Sequence, residues 1–208
     1  ADLTTWSPSA SKGRVEVASP FGNYHAVVAA REANGTVQTA IRYVYRHGRP
    51  SGHSPRELLG AVKAPLEVVP DPVPREHHQY MAGHEAPFVV RYRGSPVAGV
   101  PVTLRTANGT LREAETGPEG RVVFLLPGDF PDVKPGRGKN PPAEFTVSAR
   151  HRAGGTDFAT RLSAVYHVDP GNWQSLGWAL ALMGVGFLTG VTGTWWTGRK
   201  GTAREDAQ

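Results

Sequence analysis

Apolar residues in this chain follow two regimes. Up to Val168 they come in short runs that alternate with polar residues. From Pro170 to Gly198 no charged residue interrupts the chain. Alternation predicts β-strands, because successive side chains of a strand point to opposite faces. Candidate strands cover 14–18, 24–31, 36–46, 65–69, 87–93, 100–106, 110–115, 121–126, 145–152 and 160–168. Within 36–46, Val37, Thr39, Ile41, Tyr43 and Tyr45 share one face, and Gln38, Arg42 and Arg46 share the other. Asn34-Gly35 predicts a type I′ hairpin, since both central residues of that turn need positive φ. Asn108-Gly109 predicts a second hairpin. Ala-Asn-Gly-Thr occurs at 33–36 and again at 107–110. Shared hairpin chemistry and an internal duplication both account for the repeat. Both copies also fit the Asn-x-Thr glycosylation pattern and read as turns. The stretch 47–55 predicts a loop, and Gly94-Ser95-Pro96 a turn. Asp71-Pro72-Val73-Pro74 predicts a boundary, because proline supplies no ladder donor and stiffens the chain.

The uncharged run predicts a membrane span. Its apolar centre, 176–196, is long enough as a helix to cross a hydrocarbon core of about 30 Å, which takes about 20 residues. Trp173 and Trp178 mark one end, and Trp195 and Trp196 the other, where indoles prefer the headgroup region. Arg199 and Lys200 follow at once. Positive flanks stay in the cytoplasm. The expectation is a single-pass protein of a bacterial inner membrane, with the bulk of the chain periplasmic and the C-terminus cytoplasmic. The opening residues Ala1-Asp2-Leu3-Thr4-Thr5-Trp6 read as a mature start after signal-peptide removal. Gly186, Gly190 and Gly193 lie in the span. Small residues let helix backbones approach closely, so these glycines are expected to pack against other integral membrane subunits. Glycine is also common in membrane helices generally, which is the competing explanation.

The expected fold is mostly β. A smaller β unit over 1–70 precedes an Ig-like β-sandwich over 71–169, where short strands recur between turn signals. A transmembrane helix over 170–198 and a cytoplasmic tail over 199–208 complete the chain.

Composition narrows the chemistry. There is no cysteine, so neither a disulfide nor a thiolate ligand is available. The net charge of +5 is spread along the chain, whereas nucleic-acid binding calls for a clustered basic face. A mild basic excess favours anionic headgroups or an acidic partner. The segment 127–142, PGDFPDVKPGRGKNPP, sets Phe130 among Lys134, Arg137 and Lys139. It reads either as a docking loop or as a solvated connector. No G-x-S-x-G elbow or phosphate loop occurs, so a non-enzymatic protein is expected. His77 and His78, with His84 close behind, form the densest histidine group. Imidazole suits nickel, copper and zinc. These residues are therefore the candidate ligands for a divalent ion (Ni, Co, Cu or Zn), against the alternative of a polar linker. His151 and His167 lie in candidate strands and read as surface or interface residues.

Three stretches carry a resemblance: Val90-Arg-Tyr-Arg-Gly-Ser-Pro-Val-Ala-Gly-Val-Pro-Val102, Glu115-Thr-Gly-Pro-Glu-Gly-Arg-Val-Val-Phe124 and Phe145-Thr-Val-Ser-Ala-Arg-His151. Residues 83–168 resemble the second half of a family of periplasmic Ig-like proteins found beside cobalt/nickel uptake systems. The resemblance implies a periplasmic accessory role in divalent-metal uptake. Relatives carry a histidine near the mature amino terminus; residues 1–24 here contain none. The alternative expectation is a structural subunit of an inner-membrane complex, docking through its span and periplasmic domain without binding a ligand.

Overall fold

The computed structural model describes residues 10–11, 14–15, 22–46, 52–74, 79–136 and 138–173. Their architecture is mostly β. In chain order the elements are β1 (Ala10–Ser11), β2 (Arg14–Val15), β3 (Tyr24–Ala33), β4 (Thr36–Tyr45), α1 (Pro55–Gly60), β5 (Leu66–Pro70), β6 (Tyr80–Met81) and β7 (Glu85–Tyr92). Then follow β8 (Ser95–Pro96), β9 (Pro101–Thr106), β10 (Leu111–Glu115), β11 (Arg121–Leu125), β12 (Ala143–Ala153), β13 (Thr156–His167) and α2 (Pro170–Trp173).

Two sheets enclose one core. The larger runs β10-β9-β12-β13-β4-β3, with β6 also on β13. The smaller runs β11-β7-β5, with β8 on β7. Alternation explains the inner faces. Ala86, Phe88 and Val90 of β7 turn inward, as do Val102 and Leu104 of β9 and Phe145 and Val147 of β12. Each large apolar side chain so buried contributes about 1.5–3 kcal/mol. At one end Phe145 gathers Tyr80, Phe88 and Tyr166 at ring distances of 5.1, 6.3 and 6.0 Å.

The expected division at residue 70 does not match the pairing. β5 falls within the segment 1–70, yet it pairs antiparallel with β7 in the smaller sheet. The β3–β4 hairpin extends the larger sheet, because β4 lies parallel to β13. All five positions of β5 are buried, so that strand is sealed on both faces and binds the two parts into one core. Two local expectations also change. The turn after β7 is Arg93-Gly94, with φ of 51° and 85°, and Ser95-Pro96 pairs back as β8. Beyond the loop, Pro55–Gly60 is helical. Ser54 and Glu57 form a capping box there, satisfying donors that a helix start otherwise leaves unpaired.

Among the described residues no helix is long and apolar enough to cross a membrane. The expected span, with Trp178, Gly186, Gly190, Gly193, Trp195 and Trp196, lies outside the described residues, as do Arg199 and Lys200. Trp173 closes α2.

Candidate binding cavity

One edge of β13 is shared by two strands. β4 accompanies it up to the pair Ser163↔Arg42, and β6 takes over at Tyr166↔Tyr80. Ala164 and Val165 sit between these registers. The sheet forks there, and the fork holds a cavity of about 260 Å³. Tyr24, Tyr43, Tyr45 and Tyr80 line it with prolines and aliphatic residues, and Arg42, Gln79, Ser163 and His167 add polar side chains. Tyr24 and Tyr45 are cross-strand partners whose rings meet edge-to-face at 5.1 Å.

Two phenol oxygens lie behind this wall, out of reach of the cavity. The hydroxyls of Tyr43 and Tyr80 are buried and have no hydrogen-bond partner among the described residues. Burial pushes both phenols far above their ordinary range, and the charge of Glu67 adds to the effect on Tyr43. Both therefore remain hydrogen-bond donors at neutral pH. Burial pushes the His167 imidazole below its ordinary value, which favours the neutral ring. Arg42 also lines the cavity, and Glu144 holds its guanidinium at 2.8 Å.

These shifts set an alkaline limit on stability. A phenol whose folded pKa is raised contributes fully below the unfolded pKa of about 10, and its contribution falls as pH rises beyond that. With Tyr43, Tyr80 and Tyr166 all retained as phenols, stability should fall by about 4 kcal/mol per pH unit just above roughly pH 10. In an ultraviolet titration of the full chain, three of the six tyrosines should ionise late: Tyr43, Tyr80 and the buried Tyr166, whose phenol is pushed up to about 12 by burial and by its hydrogen bond to Asp129. Smooth ionisation of all six before unfolding would contradict the burial of these hydroxyls.

Tyr43 also touches a buried ionic cluster. The Lys63 ammonium lies 5.8 Å from its ring centre. Glu67 is fully buried, with Lys63 Nζ at 3.2 Å and Arg91 Nη2 at 3.4 Å. Neither contact reaches hydrogen-bond geometry. Lys63 also donates to the carbonyls of Leu58, Leu59 and Ala61, closing the end of α1. Arg91 donates to the Leu59 carbonyl. Burial lowers the Lys63 pKa, and the attraction of Glu67 opposes that shift. The cluster thereby links α1, β4, β5 and β7.

Of the other candidate residues, His84 lies where β13 leads into α2. His84 Nε2 lies 2.7 Å from Asp169 Oδ2. Asp169 also accepts from the Gly171 amide at 2.7 Å, at the start of α2. His77 and His78 lie outside the described residues. Among the described residues no group of three or more His, Cys, Asp or Glu side chains is placed to hold a metal ion. Phe130 is half-buried against the core, 4.8 Å from the Tyr166 ring. Asp129 fastens the same loop. It accepts from Thr106 at 2.7 Å and from the Tyr166 hydroxyl. Burial raises the Asp129 pKa, but hydrogen bonds led by that from Thr106 outweigh it and hold the carboxyl below its ordinary value. Lys134 is exposed, while its backbone is clasped on both sides by the Asn140 amide at 2.8 Å. Arg137 lies outside the described residues.

Tyr43, Tyr80, His167, Lys63, Glu67 and Arg91 escaped the sequence reading as a site. One signal was present: Glu67 interrupts an otherwise apolar strand. No family model matches the chain, and no curated protein or solved structure matches it. The likeness to the cobalt/nickel-associated family therefore rests on the quoted motifs alone.

Proposed function

We propose that this chain is a membrane-anchored, non-enzymatic accessory protein. In this reading an Ig-like β-sandwich is held on the periplasmic face of a bacterial inner membrane by the C-terminal helix, and the forked-sheet cavity is its binding site. One observation carries the proposal: the cavity includes His167, the last residue of β13, so it lies at the end from which the chain proceeds to its uncharged run. A mainly apolar wall with a few polar side chains, among them Gln79, Ser163 and His167, suits holding a ligand. Affinity capture of the full chain in mild detergent tests the accessory role. Integral membrane partners should co-purify, and Gly186→Leu combined with Gly190→Leu should release them without stopping insertion. Capture without any membrane partner would overturn the role.

A metal-binding reading is favoured by the His84–Asp169 contact at 2.7 Å. A carboxylate on one imidazole nitrogen orients the other toward an ion. Together with the family resemblance, this makes nickel or cobalt the ion to test. Calorimetry of the full chain with Ni²⁺ or Co²⁺ should show binding that His84→Ala weakens; unchanged heats would remove this reading. A purely structural subunit, docked through its span and without ligand, would pass the capture test and fail the metal test.

A further inference from the structure

We infer that the outward face of the larger sheet binds the anionic phosphate headgroups of a lipid bilayer through a diagonal stripe of arginines. Strand register builds the stripe. Arg150 of β12 is the Cα partner of Ala159 on β13, Arg161 of β13 that of Ser148 on β12 and of Ala40 on β4, and Arg42 of β4 that of Ser163 on β13. All three arginines turn away from the core, because the adjoining Ala149, Leu162 and Ile41 turn into it. Arg150, Arg161 and Arg42 thus cross three neighbouring strands diagonally, at about 7–8 Å per step.

Charge sets the sign of the ligand. The outward positions of β12, β13, β4 and β3 also carry Arg152 and Arg31, and no lysine. Glu144 and Asp157 are the carboxylates on these positions, and both are engaged, with Arg42 at 2.8 Å and with Arg152 at 3.7 Å. Arg150 and Arg161 are exposed and have no ion-pair partner among the described residues. Arg161 is the centre of the stripe. Small uncharged residues surround it along and across the strands, and the charged groups on its diagonals are Arg150 and Arg42. Like charges so placed repel one another, and an anion laid over them turns that repulsion into attraction. The acids of β10, Glu113 and Glu115, lie at the far edge of the sheet beyond β9, so the face is polarised with its basic part toward β3.

Side-chain type selects the partner. The planar guanidinium takes two phosphate oxygens at once. Beside Arg150 an open groove of about 460 Å³, bordered also by Thr36, Gln38, Arg152 and Asp157, leaves room for a headgroup. Protein interfaces are centred on buried aromatic or large apolar anchors. No Phe, Tyr or Trp stands on the outward positions of these four strands, and a polybasic surface holds an anionic bilayer by charge alone. A lipid surface therefore suits this face better than an acidic protein does. The inference goes beyond the accessory reading and does not need the C-terminal helix. Carbonate extraction tests the anchor and a label on the face tests the stripe, so the two fail separately.

The test uses single cysteines in the full chain, which has none of its own. Ala40→Cys sets a thiol beside Arg161, and Val123→Cys sets one on the exposed face of the smaller sheet. Each is labelled with nitrobenzoxadiazole and mixed, by detergent removal, with phosphatidylcholine vesicles containing increasing fractions of phosphatidylglycerol. The label at residue 40 should brighten as phosphatidylglycerol rises, and added salt should reverse the change. The label at residue 123 should not respond. Arg150→Gln and Arg161→Gln should each lower the docking equilibrium roughly fivefold, and the double variant should lose the response. Both side chains are exposed and without a protein partner, so thermal stability should hold or rise, separating lost contact from lost fold. The proposal is overturned if the label at residue 40 ignores phosphatidylglycerol, if the label at residue 123 responds equally, or if the double variant behaves as the parent does. A response to poly-L-glutamate but not to phosphatidylglycerol would also overturn it, in favour of an acidic protein as occupant.

Discussion

Replacing Glu67 by alanine should lower the unfolding free energy of the full chain by about 3–5 kcal/mol, the range for breaking a buried ion pair from one side. The carboxylate is fully buried, facing the Lys63 ammonium at 3.2 Å and the Arg91 guanidinium at 3.4 Å. Without it both cations stay in a low-dielectric site, held only by carbonyls of Leu58, Leu59 and Ala61. Exposed ion pairs behave differently. Arg121–Asp71 is half exposed on both sides, and breaking it should cost no more than about 1 kcal/mol. A second variant separates pairing from packing. Replacing all three cluster residues together, Lys63→Met, Glu67→Leu and Arg91→Met, should recover most of the loss, since apolar residues of similar volume often substitute for a buried ionic cluster. Denaturant unfolding in micelles reads both. A loss below about 1 kcal/mol for Glu67→Ala would mean that the carboxylate is solvated.

Gly120→Ala is the second large effect, at about 2–5 kcal/mol from backbone strain and overpacking combined. Gly120 has φ of 66°, and a Cβ there would lie 2.7 Å from the Val90 carbonyl oxygen and 2.8 Å from the Val97 amide nitrogen. Those neighbours are backbone and cannot swing aside. The Val90 amide also donates to the Gly120 carbonyl at 2.8 Å, joining the 117–120 turn to β7. Gly109→Ala is the matched control. Its φ is 101°, but nothing lies within 4 Å of the added carbon, so only backbone strain applies, at about 1–2 kcal/mol. Thermal melts should rank Gly120→Ala well below Gly109→Ala. Equal melting temperatures would place the 117–120 turn away from β7.

Local signals carried the strands and both hairpins. Alternation in 36–46 foretold the burial of Thr39 and Ile41, and Asn34-Gly35 turns with φ of 52° and 70° as its chemistry requires. The identical tetrapeptide at 107–110 behaves differently. Gly109 has positive φ but Asn108 does not, and the Asn108 amide donates to the Tyr166 hydroxyl at 3.1 Å. A distant partner selected that turn, and a window of four residues does not contain it. The same reason hid the cavity. β6 is two residues long and exists because its edge completes β13 beyond the reach of β4. Tyr80 becomes a wall residue only once that pairing forms. Lys63 and Glu67 are four apart in sequence and resemble an ordinary surface pair. Their burial follows from β5 being sealed from both sides, a consequence of long-range packing. The helix α1 was missed although its signal is local: Ser54-Pro55 followed by Glu57 is a capping box with proline at the first helical turn, set in a stretch whose glycine and proline content pointed to loop.

The proposed function requires a β module fixed to one side of a membrane. The chain has no cysteine, so single introduced cysteines report sidedness without background. Glu119→Cys lies on an exposed turn, and Ala207→Cys lies in the tail. With a membrane-impermeant maleimide on spheroplasts, Glu119→Cys should label at once and Ala207→Cys only after permeabilisation. Equal labelling of both from outside, or release of the chain by alkaline carbonate, would contradict it.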